Sequence, residues 1–250
     1  MASDEGGPRD LVALATYNER DNLTPLVREI RAVLPASHVL VTDDNSPDGT
    51  GRVADELAAA DPHIHVQHRQ GKLGLGTAIL AGMRYAIEQN YDHVISMDAD
   101  FSHHPRHLPA LVAGMSRHDV MLGSRYIPGG GTLNWPLSRR LMSAGVNALT
   151  RLLMRLPARD TSGGFRCYRV AKLRETRLDD LLSTGYSFQE EMLYRCRRAG
   201  CRIGETPIIF EDRRAGASKA DLREALNALA IILRVGIPAF FGMDSLRKLS

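Results

Sequence analysis

The chain has 250 residues, 44% hydrophobic and 24% charged, a composition that excludes disordered and collagen-like proteins and fits one medium domain with or without a tail. Lys and Arg number 32 against 29 Asp and Glu, too even a balance to imply nucleic acid as a partner through bulk electrostatics. Three cysteines without a CxxC pair exclude a disulfide scaffold and read as reduced, cytoplasmic thiols.

Residues 1–9 are polar and lack the apolar centre of an export signal. Residues 11–15 form a buried-strand pattern, and Leu23, Leu26, Val27, Ile30 and Leu34 then mark one face of a helix. A second strand over 38–41 ends in Asp43-Asp44-Asn45-Ser46-Pro47-Asp48-Gly49, turn and cap formers that predict a reversal and a helix from about Gly51. Strands over 64–67, 93–97 and 120–122 alternate with helices marked by Leu75, Ile79, Met83, Ala86 and Ile87 and by residues 108–115. The second half is less regular. A glycine-rich connection over 128–136 precedes a helix over 137–156, and strands over 164–168 and 202–210 flank a helix over 190–198. The most apolar stretch, residues 225–243, is interrupted by Arg234 and Pro238, so no helix is expected to span a membrane.

This alternation predicts a mostly parallel, doubly wound α/β sheet, which binds ligands at the carboxyl ends of its strands. The polar clusters over 16–19, 43–48 and 98–104 all fall at such ends. Asp98-Ala99-Asp100 closes a buried strand. Residues two apart on extended chain point the same way, so both carboxylates can face one hard cation shared with a diphosphate, or else act as loop acids capping the next helix. Asp43 and Asp44 suit base or ribose donors and equally a turn. Gly71-Lys72-Leu73-Gly74-Leu75-Gly76-Thr77 matches neither the Walker nor the Rossmann glycine pattern, leaving a helix entry with one cation, Lys72. His63, His65 and His68 lack a matched zinc set and read as a strand edge. His103 and His104 follow the carboxylate pair closely enough to orient a substrate group or to lie solvated in the loop. Arg125, Arg139-Arg140 and Arg213-Arg214 with Lys219 flank the same predicted site with groups suited to phosphate.

In chain order these pieces resemble the polyprenyl- and dolichyl-phosphate mannosyltransferases within the family 2 glycosyltransferases. The matching segments begin with residues 16–23, 43–50, 72–77 and 97–105, and Gly123-Ser124-Arg125-Tyr126 follows. Gly163-Gly164-Phe165-Arg166, Ser187-Phe188-Gln189-Glu190-Glu191 and residues 213–219 complete the match, which covers about residues 10–219.

The resemblance implies a GT-A catalytic domain over 9–219 and a C-terminal amphipathic helical tail over 220–250. It implies that Ala15, Tyr17, Glu19, Asp44 with Asp43 nearby, Lys72 and Ala99 hold the nucleotide sugar, while Arg213 and Lys219 close over its phosphates. Asp98, Asp100 and, in place of a glutamine found in some relatives, Ser102 would hold Mg²⁺ or Mn²⁺. Some relatives carry Pro where Ala15 stands. Arg125, Arg139 and Ser143 would receive the lipid phosphate, with Gln189 and Glu191 on the side of the sugar and acceptor. The implied reaction is metal-assisted, inverting transfer from GDP-mannose to polyprenyl phosphate. A UDP-sugar donor such as UDP-glucose and a non-catalytic nucleotide-binding subunit are the alternatives. Nucleic acid is not an expected partner. From Asp221 on, Leu222, Leu226, Leu229, Ile232 and Leu233 recur at helical spacing, and Phe240 and Phe241 follow. This tail is expected to meet the cytoplasmic face of a membrane, or else to pack on the domain or seat a homodimer or an anchoring partner.

Overall fold

A computed structural model describes residues 7–183, 185, 187–212 and 222–241. The first half alternates as expected: β1 (Asp10–Thr16), α1 (Arg20–Val33), β2 (His38–Asp43), α2 (Thr50–Ala60), β3 (Ile64–His68), α3 (Leu75–Glu88), β4 (His93–Asp98), α4 (Leu108–Gly114) and β5 (Val120–Ser124). The second half adds β6 (Gly131–Leu133), α5 (Leu137–Leu153), β7 (Arg166–Arg169), α6 (Val170–Leu173), α7 (Phe188–Arg198), β8 (Ile203–Pro207), β9 (Ile209–Glu211) and α8 (Leu222–Phe240).

Seven strands form one sheet in the order β3-β2-β1-β4-β7-β5-β8, and β6 pairs with β9 in a separate two-stranded ribbon. Every pairing in the large sheet is parallel except those of β7, which runs antiparallel to both β4 and β5. The expected GT-A architecture is the observed one. The single strand expected over 202–210 is instead two strands in different sheets, divided at Ile208. Central strands are apolar on both faces, as a sheet covered by helices requires: Leu11, Val12 and Leu14 of β1 and Val39, Leu40 and Val41 of β2 are all fully buried.

Two glycines in the helix entry after β3 have steric reasons unrelated to phosphate. Gly74 has φ +99°, a region that strains any side chain, and a Cβ on Gly76 would lie 2.8 Å from the Phe188 Cβ of α7. β3 is an edge strand, as its histidines suggested. Among the described residues no cluster of three His, Cys, Asp or Glu could hold a metal.

The described part of the C-terminal segment is more firmly attached than the word tail implies. Ile232, Val235 and Ala239 of α8 join the core cluster that contains Met154 and Leu156. A Cβ on Gly236 would come within 2.8 Å of the Leu153 Cβ on α5. On other faces α8 exposes Leu229, Leu233, Ile237 and Phe240, and α5 exposes Leu137, Leu141, Met142 and Leu152. No described helix is long and apolar enough to cross a membrane.

Candidate active site

Three parallel strands, β1, β2 and β4, end side by side, and each chain turn beyond them passes through a left-handed residue: Asn18 (φ 61°), Asn45 (φ 55°) and Phe101 (φ 63°). Asparagine tolerates this conformation, whereas Phe101 holds a strained one directly after the carboxylate pair. These turns and the entry to α3 enclose a cleft of about 200 Å³. Ala15, Tyr17, Glu19, Asp44, Lys72, Asp98, Ala99 and Asp100 all line it. Thr16, Gly74, Leu75, Ala78 and Gly185, to which the sequence reading assigns no individual binding role, complete the lining.

Each polar side chain is held in place by its neighbours. The Asp44 carboxylate pairs with Arg69 Nη1 at 2.9 Å, and Arg69 Nη2 donates to Thr77 Oγ1 at 2.5 Å, tying the end of β2 to the start of α3. Burial raises the Asp44 pKa against the opposing pull of Arg69. The Lys72 ammonium lies 5.2 Å from the centre of the Tyr17 ring. Asp43 is a correction. Its Oδ1 accepts from Thr16 Oγ1 and Ser46 Oγ and its Oδ2 from the Ser46 N–H, so its carboxylate builds the turn beneath the cleft and does not line it.

Asp98 is half-exposed and Asp100 is buried. The backbone N–H of Asp98 donates to Nδ1 of buried His103, which stacks on Phe165 at 5.1 Å. Asp100 Oδ1 accepts from the Ser102 N–H at 3.0 Å, and the buried Ser102 Oγ has no hydrogen-bond partner among the described residues. Two carboxylates and one uncommitted hydroxyl fit a hard divalent cation that takes its remaining oxygens from phosphate and water. Gly164 admits this crowding: a Cβ there would meet Gln189 Nε2, His103 and Asp98 Oδ1 within 3.8 Å. Gln189 is thus brought to the rim of the carboxylate pair.

Arg125 and Arg139 are gathered beside one indole, and Ser143 joins them through Tyr126, which stacks with Arg125. The Trp135 ring centre lies 4.0 Å from the Arg139 guanidinium carbon and 5.4 Å from that of Arg125. Tyr126 OH donates to Ser143 Oγ at 2.7 Å. Arg125 is clamped by buried Asp160, with Nε to Oδ2 at 2.8 Å and Nη2 to Oδ1 at 2.7 Å; its Nη1 takes no part in the clamp. Burial alone would raise the Asp160 pKa, but the Arg125 charge and hydrogen bonds outweigh it and hold it low. Arg139 pairs with half-exposed Asp212 at 3.2 Å. Arg213 and Lys219 lie outside the described residues.

Glu191 is the second correction. Fully buried, it accepts from the Leu182 and Ser183 N–H groups, from Ser183 Oγ and from Arg195 Nε and Nη2. All its acceptor capacity goes into fastening α7, so it does not face the sugar. Its neighbour Glu190, which the sequence reading passed over, is buried with Oε2 unbonded among the described residues.

A family model described as Glycosyl transferase family 2 matches residues 11–177. An undecaprenyl-phosphate mannosyltransferase of Micrococcus luteus is 43% identical over 231 residues, 92% of this chain and 95% of that protein. A polyprenol monophosphomannose synthase of Mycolicibacterium smegmatis is 42% identical over 227 residues, 89% of this chain and 86% of its own length. Among solved structures, Mycobacterium tuberculosis glucosyl-3-phosphoglycerate synthase superposes with a TM-score of 0.63 at 18% identity, covering 95% of this chain and 82% of that one. Its complex with Mn²⁺, uridine diphosphate and glucosyl-3-phosphoglycerate superposes with a TM-score of 0.62 at 18% identity, covering 97% and 82%. At that identity these structures speak for the fold.

Proposed function

Since the chain belongs to glycosyl transferase family 2 and is a glycosyltransferase, we propose that it transfers mannose from GDP-mannose to a polyprenyl phosphate, with inversion at the sugar carbon. The observation that carries this reading is the pairing of two sites in one molecule: the strand-end cleft, lined by Tyr17, Asp44, Lys72 and the Asp98–Asp100 carboxylates in a set suited to a nucleoside diphosphate and its metal, and the arginine pair on Trp135, suited to a phosphate monoester. The names of the two relatives above 40% identity support the mannosyl group and the polyprenyl phosphate acceptor.

In this reading an oxygen of the acceptor phosphate attacks the anomeric carbon from the face opposite the diphosphate. The carbon–oxygen bond to the donor breaks, and GDP leaves with the electron pair. A phosphate monoester is already largely ionised near neutral pH, with a second pKa of about 6, so the attack needs alignment more than a general base. Arg125, held rigid by Asp160, and Arg139 position the acceptor oxygens. Tyr17, Asp44 and Lys72 position the nucleotide, and Gln189 reaches the rim where sugar and acceptor meet. A Mg²⁺ or Mn²⁺ ion held by Asp98, Asp100 and Ser102 would stabilise the charge on the departing diphosphate. The acceptor is a lipid, and the apolar side chains exposed on α5 and α8 support peripheral docking at the cytoplasmic face of a membrane.

The test is a panel of nucleotide sugars offered with a short polyprenyl phosphate and Mn²⁺, with products separated by chromatography. GDP-mannose should give the fastest lipid-linked product. A UDP-sugar giving faster transfer would reassign the donor, and no lipid-linked product from any donor would overturn the acceptor.

A further inference from the structure

The mechanism leaves a group of buried charges behind the acceptor site unused. Glu190 stands in the first turn of α7, 4% exposed, with Oε2 unbonded among the described residues. Three charged groups from other elements face it: Arg166 of β7, Asp160 from the loop after α5, and Arg125 from the end of β5. On its own helix Gln189 is neutral, and Glu191 is paired with Arg195.

Arg166 is fully buried and bonded to the carbonyls of Gly163, Thr161 and Gln189, each at 2.7 Å. No carboxylate lies within ion-pair distance of it among the described residues. Asp160 is paired with Arg125 and also accepts from the Gly163 N–H at 3.0 Å. Two guanidinium groups and one carboxylate therefore leave an excess positive charge, and Glu190 is the group that can cancel it. Protonated, it leaves the cluster at one net positive charge; ionised, it brings the cluster to zero.

We propose that Glu190 is a positioning residue that sets the charge of the acceptor-phosphate site through Arg125, taking up a proton from solvent as a phosphate dianion docks. Burial pushes the Glu190 carboxyl up to about 7, so the choice between the two charge states falls near neutral pH. An incoming anion favours the neutral carboxyl. By linkage, an ionised carboxylate must weaken the anion's binding to the same degree. The inference rests on the acceptor reading given above. Its atoms balance simply, since one O–H bond forms on Glu190 and the buffer supplies the proton.

The experiment is calorimetric titration of the full chain, with Mn²⁺ and GDP present, by a ten-carbon prenyl phosphate between pH 6 and 8. Buffers of differing ionisation enthalpy report the protons taken up. The ratio of the wild-type Kd to that of Glu190→Gln should be near one at pH 6. It should approach roughly tenfold at pH 8, one pH unit above the Glu190 midpoint of about 7, since each unit of linkage is a factor of ten. Near pH 7 the wild type should take up more protons than the variant. Parallel pH profiles with equal proton uptake would overturn the proposal. Should Glu190→Gln fail to fold, Glu190→Met supplies the same neutral charge. A wild-type proton balance accounted for entirely by the protons the ligand itself releases in its second ionisation would overturn the proposal without any variant. Absence of prenyl phosphate binding by the wild type at every pH, with GDP still bound, would instead remove the acceptor reading, and this inference with it.

Discussion

Asp98 and Asp100 sit two residues apart at the end of β4, yet Asp98 is half-exposed to the cleft while Asp100 is buried and bonded to the Ser102 backbone. Asp100→Asn keeps the shape and one acceptor oxygen but removes the charge. Turnover at saturating Mn²⁺ should fall at least about a hundredfold, with the melting temperature nearly unchanged; radiolabelled transfer and a thermal melt decide it. At this scale sequence and structure part company at α7. Glu190 and Glu191 are adjacent acids in one motif, and nothing in their spacing separates them. About 100° of helical rotation places one among arginines and leaves the other stitched to the Leu182–Ser183 backbone. Arg69 was hidden for a similar reason: only the pairing of β3 with β2 brings it to Asp44.

Among the elements, the apolar runs of β1, β2, β4 and β5 were legible because a strand covered on both faces leaves little choice of residue. β6 and β9, three residues each, are too short to carry a period, and the direction of β7 is set by its neighbours, not by its own side chains. Asp119, at the entry to β5, fastens three of these strands together: it accepts from Arg202 N, Nε and Nη2 beside β8 and from Arg169 Nε of β7. The Arg202 hydrogen bonds, aided by its charge and by Arg169, hold the Asp119 carboxyl down at about 2. A carboxylate ionising more readily folded than unfolded stabilises the fold above the unfolded pKa near 4. That stability is lost as the pH falls from there toward 2. Asp119→Asn should therefore cost roughly 2 kcal/mol at pH 7, and its deficit against the wild type should close between about pH 4 and 2 in urea melts. Helix α8 divides its labour by face. Leu233→Ser with Ile237→Ser should reduce flotation with anionic liposomes severalfold and leave GDP affinity unchanged, because neither side chain belongs to the buried face. Unaltered flotation would move the membrane contact off α8.

For the whole molecule, the strand order governs how synthesis can proceed. β1 to β4 pair only among themselves until β7 arrives, so a four-stranded parallel unit can assemble once the first 98 residues are free. β5 has no such option. Both of its neighbours, β7 and β8, are made after it, and β7 follows the whole of α5. Between those moments the growing chain carries an open β4 edge and a wholly unpaired, apolar β5, both hazards for association with other chains. A fragment ending at residue 160 should accordingly be protease-sensitive and aggregate on release, whereas chains stalled with β8 outside the ribosome should gain protection of β5 and β7 together, as limited proteolysis can follow. The same order means that every residue of the strand-end cleft before Gly185 emerges early, while the clamp on Arg125 waits for Asp160 and Gly185 follows both. Under the proposed reading, the strand-end part of the donor cleft is made first, the arginine clamp second and the closing segment of the cleft last, so the two sites are finished in alternation, neither complete before the other is begun.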